Sequence, residues 1–373
     1  MAKIKKNSQA AFFTLLQAGL WEKECRLAAC SPIDFEALRR LAEEQSVVGL
    51  IAAGLEHVTD MKAQKKDVLQ FIGQTLQLEQ RNQAMNNFIG TIVEKMRESG
   101  IDTLLVKGQG VAQCYERPLL RSCGDVDFVL NEKNYDRAKA FLAPMATSVD
   151  DEDERIKHLG MTIDSWVVEL HGSLKNGLWG KADGVVDDVQ GVVFNSGHVR
   201  TWMNGDIPVF LPGENEDVIF LFSHILQHFF KEGIGLRQIC DWCRFMWVYR
   251  EKIDRQLLEK RLGEMGVISE WKAFASLAVD YLGMPMEVIP FYSDSIRWKR
   301  KAKRIVSFVL ETGNFGHNRD YSYQKKYPFV IMKAISLWKH IKDTSIYFFI
   351  FPLDSLKVMW SRVKLGVMVA CKG

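Results

Sequence analysis

Apolar positions recur every three to four residues through the first hundred positions of the chain and then give way to short runs with the period of strands. Val68, Phe71, Ile72, Leu76 and Leu78 keep a spacing of roughly 3.6 residues within 62–99, and Gly100 closes the stretch, which predicts one long helix. Residues 8–60 read as further helices, with Ser31 as N-cap and Pro32 in the first position of one of them. Thr103–Val106 is a short apolar strand running into Lys107-Gly108-Gln109-Gly110, and a helix of about two turns extends to Tyr115 before Pro118 stops it. Asp125–Leu130 is a second strand, covered by a helix over Asn131–Met145. The acidic run Val149–Ile156 reads as a loop, and His158–Ile163 and Ser165–Leu170 read as paired strands with a turn around Asp164. Ile207–Leu211 is one more candidate strand before Pro212-Gly213 breaks the pattern. Glu214–Phe230 opens a second helical region, its first turn carrying Glu214, Glu216 and Asp217 where the helix dipole favours acids.

This order of strands and helices argues an α/β or α+β core of about 110 residues, with helical regions before and after it. Four units are expected: a helical region over 1–99, a catalytic core over 100–212, a helical domain over 213–312, and a basic helical tail over 313–373 that begins with a polar, glycine-bearing linker over 313–327. No internal repeat or low-complexity segment interrupts this order.

Charge adds an asymmetry that the whole-chain value of +3 conceals. Residues 297–373 hold 16 Lys and Arg against 4 Asp and Glu, a surplus of +12, and the preceding 296 residues hold the remaining 33 against 42, or −9. The acidic part contains the candidate chemistry. The basic part, where Lys and Arg interleave with Trp338, Phe348, Phe349 and Trp360, is either a solvated face over a core or a surface for RNA or a membrane. No secretory signal is evident, no run approaches the roughly 18 apolar residues of a spanning helix, and seven irregularly spaced cysteines fit a reducing compartment, so a cytoplasmic location is expected.

Asp125 and Asp127 stand two apart at the start of the second strand and so share a face. Two adjacent carboxylates repel and are costly to bury, and oxygen ligands answer this best with Mg²⁺ or Mn²⁺. Glu169, late in Trp166-Val167-Val168-Glu169-Leu170-His171, is a candidate third carboxylate, although Asp164 or an acid from 150–154 could serve instead. His171 lies two residues on and shares the face of Glu169. Gly108 and Gly110 form a turn at a helix start where backbone N–H groups can reach phosphate, and Lys107 and Arg121 flank it, either as phosphate ligands or as neutralising partners of the aspartates. His171 also reads as an ordinary hydrogen-bonded strand histidine. His224 and His228 have i, i+4 spacing but read as packing residues, and Cys240 and Cys243 read as buried thiols on a helix. Arg237 and Asp241, four apart, are a helix-surface pair or residues of the cleft.

Leu105-Val106-Lys107-Gly108, Tyr115, Arg121, Gly124-Asp125-Val126-Asp127 and Glu169-Leu170-His171, with His224, His228, Leu236-Arg237 and Asp241 further on, resemble the uncharacterised bacterial nucleotidyltransferases of the polymerase-beta-like superfamily over about residues 60–250. The resemblance implies an α+β fold, a small mixed sheet flanked by helices with helical regions at both ends, a nucleoside triphosphate donor, two Mg²⁺ (or Mn²⁺) ions held by Asp125, Asp127 and Glu169, and a triphosphate near Lys107, Gly108, Gly110 and Arg121. His171, Arg237 and Asp241 are further candidates for the cleft. The turn departs from the Gly-Ser or Gly-Gly of the wider superfamily, because Gln109 follows Gly108 and supplies no hydroxyl. The expected reaction moves a nucleoside monophosphate onto an acceptor, a small molecule or a protein, with release of pyrophosphate. Transfer to RNA such as a tRNA end, as in toxin-type enzymes, and an inactive binding partner are the alternatives.

Overall fold

The long apolar period does fold as a single helix, and its second half is the support on which the sheet is laid. The structure, a computed structural model, describes residues 2–231, 233–316, 331, 335 and 347–360. Three helices come first, α1 (Ala2–Trp21), α2 (Phe35–Glu44) and α3 (Val48–Glu56), followed by the 34-residue α4 (Lys65–Glu98). The start of α2 differs from expectation. Asp34, not Ser31, is its N-cap, and an Asp34 side-chain oxygen accepts the Ala37 N–H at 2.9 Å.

The sheet is built from β1 (Leu104–Val106), β2 (Asp125–Val129), β3 (Ser148–Val149), β4 (His158–Ile163) and β5 (Trp166–His171), in the order β1-β2-β5-β4-β3. It is mixed, as predicted: β2 and β5 run parallel and the other pairings are antiparallel. The short α5 (Gly108–Ala112) follows β1, and α6 (Glu132–Leu142) follows β2, capped by Asn131. The turn between β4 and β5 takes Asp164 and Ser165 at φ +47° and +72°, the left-handed pair of a two-residue hairpin. Sequence reading left 180–196 and 199–204 unassigned. They form α7 (Gly180–Ser196) and β6 (Val199–Asn204), which pairs with β7 (Ile207–Pro212) in a separate hairpin.

Helices α8 (Glu214–Lys231), α9 (Leu236–Val248), α10 (Arg255–Met265), α11 (Ile268–Leu282) and α12 (Ile296–Thr312) complete the ordered elements with names, and residues 347–350 and 352–360 are also helical. The linker expected over 313–327 is described only to 316, and most of the basic tail expected after it lies outside the described residues.

Two apolar clusters position the site. Val126, Phe128, Val168 and Leu170 point to one face of the sheet and pack with Met85, Ile89, Ile92 and Met96 of α4 and with Tyr135 and Ala138 of α6. The alternate residues of β2 and β5 must then face the other way. On that side lies the second cluster, shared by the N-terminal helices and α7–α12. Gln17 Nε2 donates to Tyr281 O at 2.9 Å and Gln45 Nε2 to Val309 O at 3.1 Å, tying the first helices to α11 and α12.

Candidate active site

The register of the sheet creates the site. In the parallel pairing, Asp125 lies opposite Val167, Asp127 opposite Glu169, and Val129 opposite His171. Asp125, Asp127, Glu169 and His171 therefore fall on the face turned away from α4. The antiparallel pairing of β4 adds His158 directly opposite His171. The cleft over this face is closed by α8 and α9, so Phe220, His224 and His228 form its far wall and Arg237 and Asp241 its end.

Asp127 is buried and is held by Lys107 and His171. Lys107 Nζ and His171 Nε2 each stand 2.9 Å from Asp127 Oδ1. Burial alone would raise the Asp127 pKa, but Lys107 and the His171 hydrogen bond outweigh it and hold the group below its ordinary value. Asp125 moves the other way, pushed up first by the charge of Asp127, then by burial and by Glu169. Its carboxylate forms no hydrogen bond or ion pair with another side chain among the described residues. Glu169 Oε2 lies 3.2 Å from His158 Nε2 and 3.4 Å from His171 Nε2. Burial opposes its ionisation, but the two histidines and then Lys107 overcome this and lower its pKa. The same contacts with Asp127 and Glu169 raise His171 against the opposing effect of its burial.

This donor set fits a divalent cation. Three carboxylates converge, one of them without an ion pair among the described residues, and His158, Glu169 and His171 offer ligand atoms within 4.8 Å of one another. His158 had been read only as the start of a strand. The signal for it was present, since a two-residue turn at Asp164-Ser165 fixes a hairpin register that puts residue 158 opposite 171.

Lys107 joins β1 to α5 in an uncommon backbone conformation, φ +56° and ψ −143°, and Gly108 follows at φ +40°. A Cβ on Gly108 would meet Cys123 Sγ at 3.3 Å and Asp125 O at 3.4 Å, so the turn lies close against β2. Gly110 has a different surrounding. Its α-carbon faces β7, where a Cβ would meet Leu211 Cδ2 at 2.8 Å, so the close approach of two elements accounts for this glycine.

Arg121 lines the same cleft but is committed to Asp241. Its Nε and Nη2 donate to Asp241 Oδ1 and Oδ2 at 3.0 and 2.6 Å, and Tyr115 Oη adds a third bond to Oδ1 at 2.8 Å. Arg237 Nη1 donates to Ser122 O at 2.9 Å, bracing the segment that leads into β2. Asp241 is thus buried and Arg237 half-buried in the cleft wall, not paired with each other on a helix surface.

His224 and His228 were read as packing residues, and the structure brings both to the cleft. Their Nε2 atoms lie 3.1 Å apart, which requires one ring to donate and the other to accept, so at least one is neutral. Burial, followed by Lys107, His228 and Arg237, lowers the His224 pKa well below its usual value, and its Nδ1 is buried with no hydrogen-bond partner. Cys240 and Cys243 are fully buried on α9, and burial raises both thiols far from reactivity.

A family model described as an uncharacterised nucleotidyltransferase matches residues 31–283, which include the whole sheet, the cleft and helices α2–α11. No curated protein and no solved structure matches the chain. Among the described residues no helix is long and apolar enough to cross a membrane.

Proposed function

The chain belongs to this family of uncharacterised nucleotidyltransferases, and from that premise we propose that it transfers a nucleoside monophosphate from a nucleoside triphosphate to an acceptor hydroxyl or phosphate, releasing pyrophosphate. The observation that carries the reading is the convergence of Asp125, Asp127 and Glu169 from adjacent parallel strands in a cleft that also holds Lys107.

Asp125, Asp127 and Glu169 would hold Mg²⁺ or Mn²⁺, with His158 and His171 close enough to contribute nitrogen. Bound there, the ion would supply charge neutralisation for the triphosphate and activation of the attacking oxygen. The chain's own groups do the positioning. Lys107 is the cation nearest the carboxylates and is placed to share its charge with a phosphate oxygen once Asp127 is otherwise neutralised. The backbone N–H groups at the Gly108 turn favour the same anion. His171 fixes the Asp127 carboxylate, and Glu169 is the group on hand to orient or deprotonate the acceptor. His224, kept neutral on the facing helix, lines the same space without adding a positive charge.

The test is transfer of label from each α-³²P triphosphate in Mg²⁺ or Mn²⁺, with total RNA, with protein and with small-molecule extracts as acceptors. Label incorporation that disappears in Asp125→Ala plus Asp127→Ala supports the reading. Absence of both transfer and metal-dependent triphosphate binding rejects it.

A further inference from the structure

The helical runs 347–350 and 352–360 are apolar on two sides, and among the described residues only one of them packs against the rest of the chain. Tyr347, Ile350, Phe351 and Val358 face inward, with Tyr347 packing its ring 5.3 Å from Phe229 of α8 and 5.1 Å from Phe308 of α12. The outward side carries Phe348, Phe349, Leu353, Leu356, Met359 and Trp360, of which Phe349, Leu353 and Trp360 are 71%, 70% and 70% exposed. Within 352–360, positions 353, 356 and 360 follow the i, i+3, i+7 spacing of one helical stripe, and Phe349 is exposed in the helical run just before it. A contiguous apolar face of this kind is costly in water and marks an interaction surface.

The neighbouring element says what the surface meets. Helix α12 carries six Lys and Arg, at 297, 299, 300, 301, 303 and 304, against the single acid Glu311. Arg300, Lys303 and Arg304 are exposed on it, and Arg304 Nη1 donates to the Phe349 carbonyl at 2.7 Å, so the cationic stripe adjoins the apolar one. Aromatic and aliphatic side chains flanked by cations match the boundary between acyl chains and anionic headgroups. A second copy of the chain would bring two cationic stripes together. RNA would gain from the charges and from stacking on aromatic rings, but it offers nothing to Leu353, Leu356 and Met359.

We propose that residues 347–360 and the exposed cations of α12 form a peripheral docking surface for an anionic lipid bilayer, with the outward face of 347–360 seated among the headgroups and upper acyl chains. Helix α8 links this surface to the cleft, since it carries His224 in the cleft wall and Phe229 beneath Tyr347. The surface stands independently of the proposed reaction.

The experiment is flotation of the full chain with vesicles of phosphatidylglycerol and phosphatidylcholine, and with vesicles of phosphatidylcholine alone, at about 0.1 M salt, where exposed charges act over about 10 Å. Binding at least tenfold stronger to the anionic vesicles is expected. A Phe349→Ser, Leu353→Ser, Trp360→Ser variant should lose that binding at least tenfold. An Arg300→Glu, Lys303→Glu variant, altered only at exposed positions, should lose the preference for anionic lipid even if the apolar variant fails to fold. Failure of the unaltered chain to float overturns the proposal, as does equal binding to both vesicles. Unchanged binding by the charge-reversed variant also overturns it, and so does salt-sensitive binding of single-stranded RNA, or self-association, without vesicle binding.

Discussion

Asp127 on β2 and Glu169 on β5 are register partners, and one nitrogen, His171 Nε2, lies 2.9 Å from Asp127 Oδ1 and 3.4 Å from Glu169 Oε2. The two acids are thereby held as a fixed pair while Asp125, two residues before Asp127, forms no ion pair among the described residues, and Asp127, burial and Glu169 push its pKa up against the weaker pull of Lys107 and Arg237. A carboxylate whose pKa is raised by its folded surroundings is unfavourable to the fold, so its presence separates the demands of stability from those of chemistry.

That separation predicts opposite responses to one substitution. Asp125→Asn removes the repulsion from Asp127 and raises the melting temperature in the presence of a chelator. The same change lowers nucleotidyl transfer by at least about 100-fold, more than the loss of an outer-shell partner of a metal ligand costs. Scanning fluorimetry in EDTA and initial rates in Mg²⁺ measure the two effects. A parallel fall in both would remove Asp125 from the metal site.

Lys107 also neutralises Asp127, with an Nζ to Oδ1 distance of 2.9 Å. Lys107→Met leaves Asp127 buried with only His171 beside it, and the expected cost is about 3 kcal/mol, the low end for breaking a buried pair because the lysine is partly exposed. Adding Mg²⁺ or Mn²⁺ should restore more stability to this variant than it adds to the parent chain. Urea melts with and without the ion read the difference, and equal increments would show that the ion and the lysine do not serve the same carboxylate.

Much of this arrangement was legible in the sequence because strand alternation is a strict rule. Spacing alone assigns Asp125 and Asp127 to one face of their strand and Glu169 and His171 to one face of theirs, and the parallel register then brings the two pairs together; the mixed sheet was legible only through the family resemblance. What spacing does not reveal is which distant element closes over that face. Cleft membership for His224, Arg237 and Asp241 depends on how α8 and α9 pack, which is set by the apolar cluster around Phe222, Trp242 and Trp271. Arg121 shows the same limit, since its partner Asp241 is 120 residues away. Helix α7 was missed because Gly180, Gly184 and Gly191 dilute its helical signal, while Ala182, Val185, Val186, Val189 and Val193 still bury one face.

The Arg121–Asp241 pair carries a stability prediction distinct from any role toward phosphate. Both side chains are buried, and Tyr115 completes the carboxylate. Asp241→Asn leaves a buried guanidinium without its charge partner and should cost about 3–5 kcal/mol. Arg121→Met together with Asp241→Leu removes both charges and should cost less than either single change. A double-mutant cycle by denaturant melts gives the coupling. Additive losses would mean that the pair acts on the fold only through separate contacts.

Glu270 on α11 sets a pH dependence far from the cleft. The residue is fully buried, and burial, followed by a hydrogen bond with Asp354 and its charge, raises its pKa well above 4.5. Lys301 is the cation that faces it and only partly offsets these effects, while Lys357 Nζ is bonded to Asp354 at 2.7 Å. A carboxyl whose folded pKa exceeds its unfolded one binds a proton on folding, so its contribution is fully present below about pH 4.5 and is lost as pH rises through the folded value. Over that window stability should fall by up to about 1.4 kcal/mol per pH unit on this account. Glu270→Gln, which mimics the neutral acid, should flatten that slope. Because Asp354 belongs to the 347–360 segment, protection of its amides from hydrogen exchange should show the same loss with rising pH in the parent chain and not in the variant, once exchange rates are corrected for pH. An unchanged slope in Glu270→Gln would assign the pH dependence to other groups.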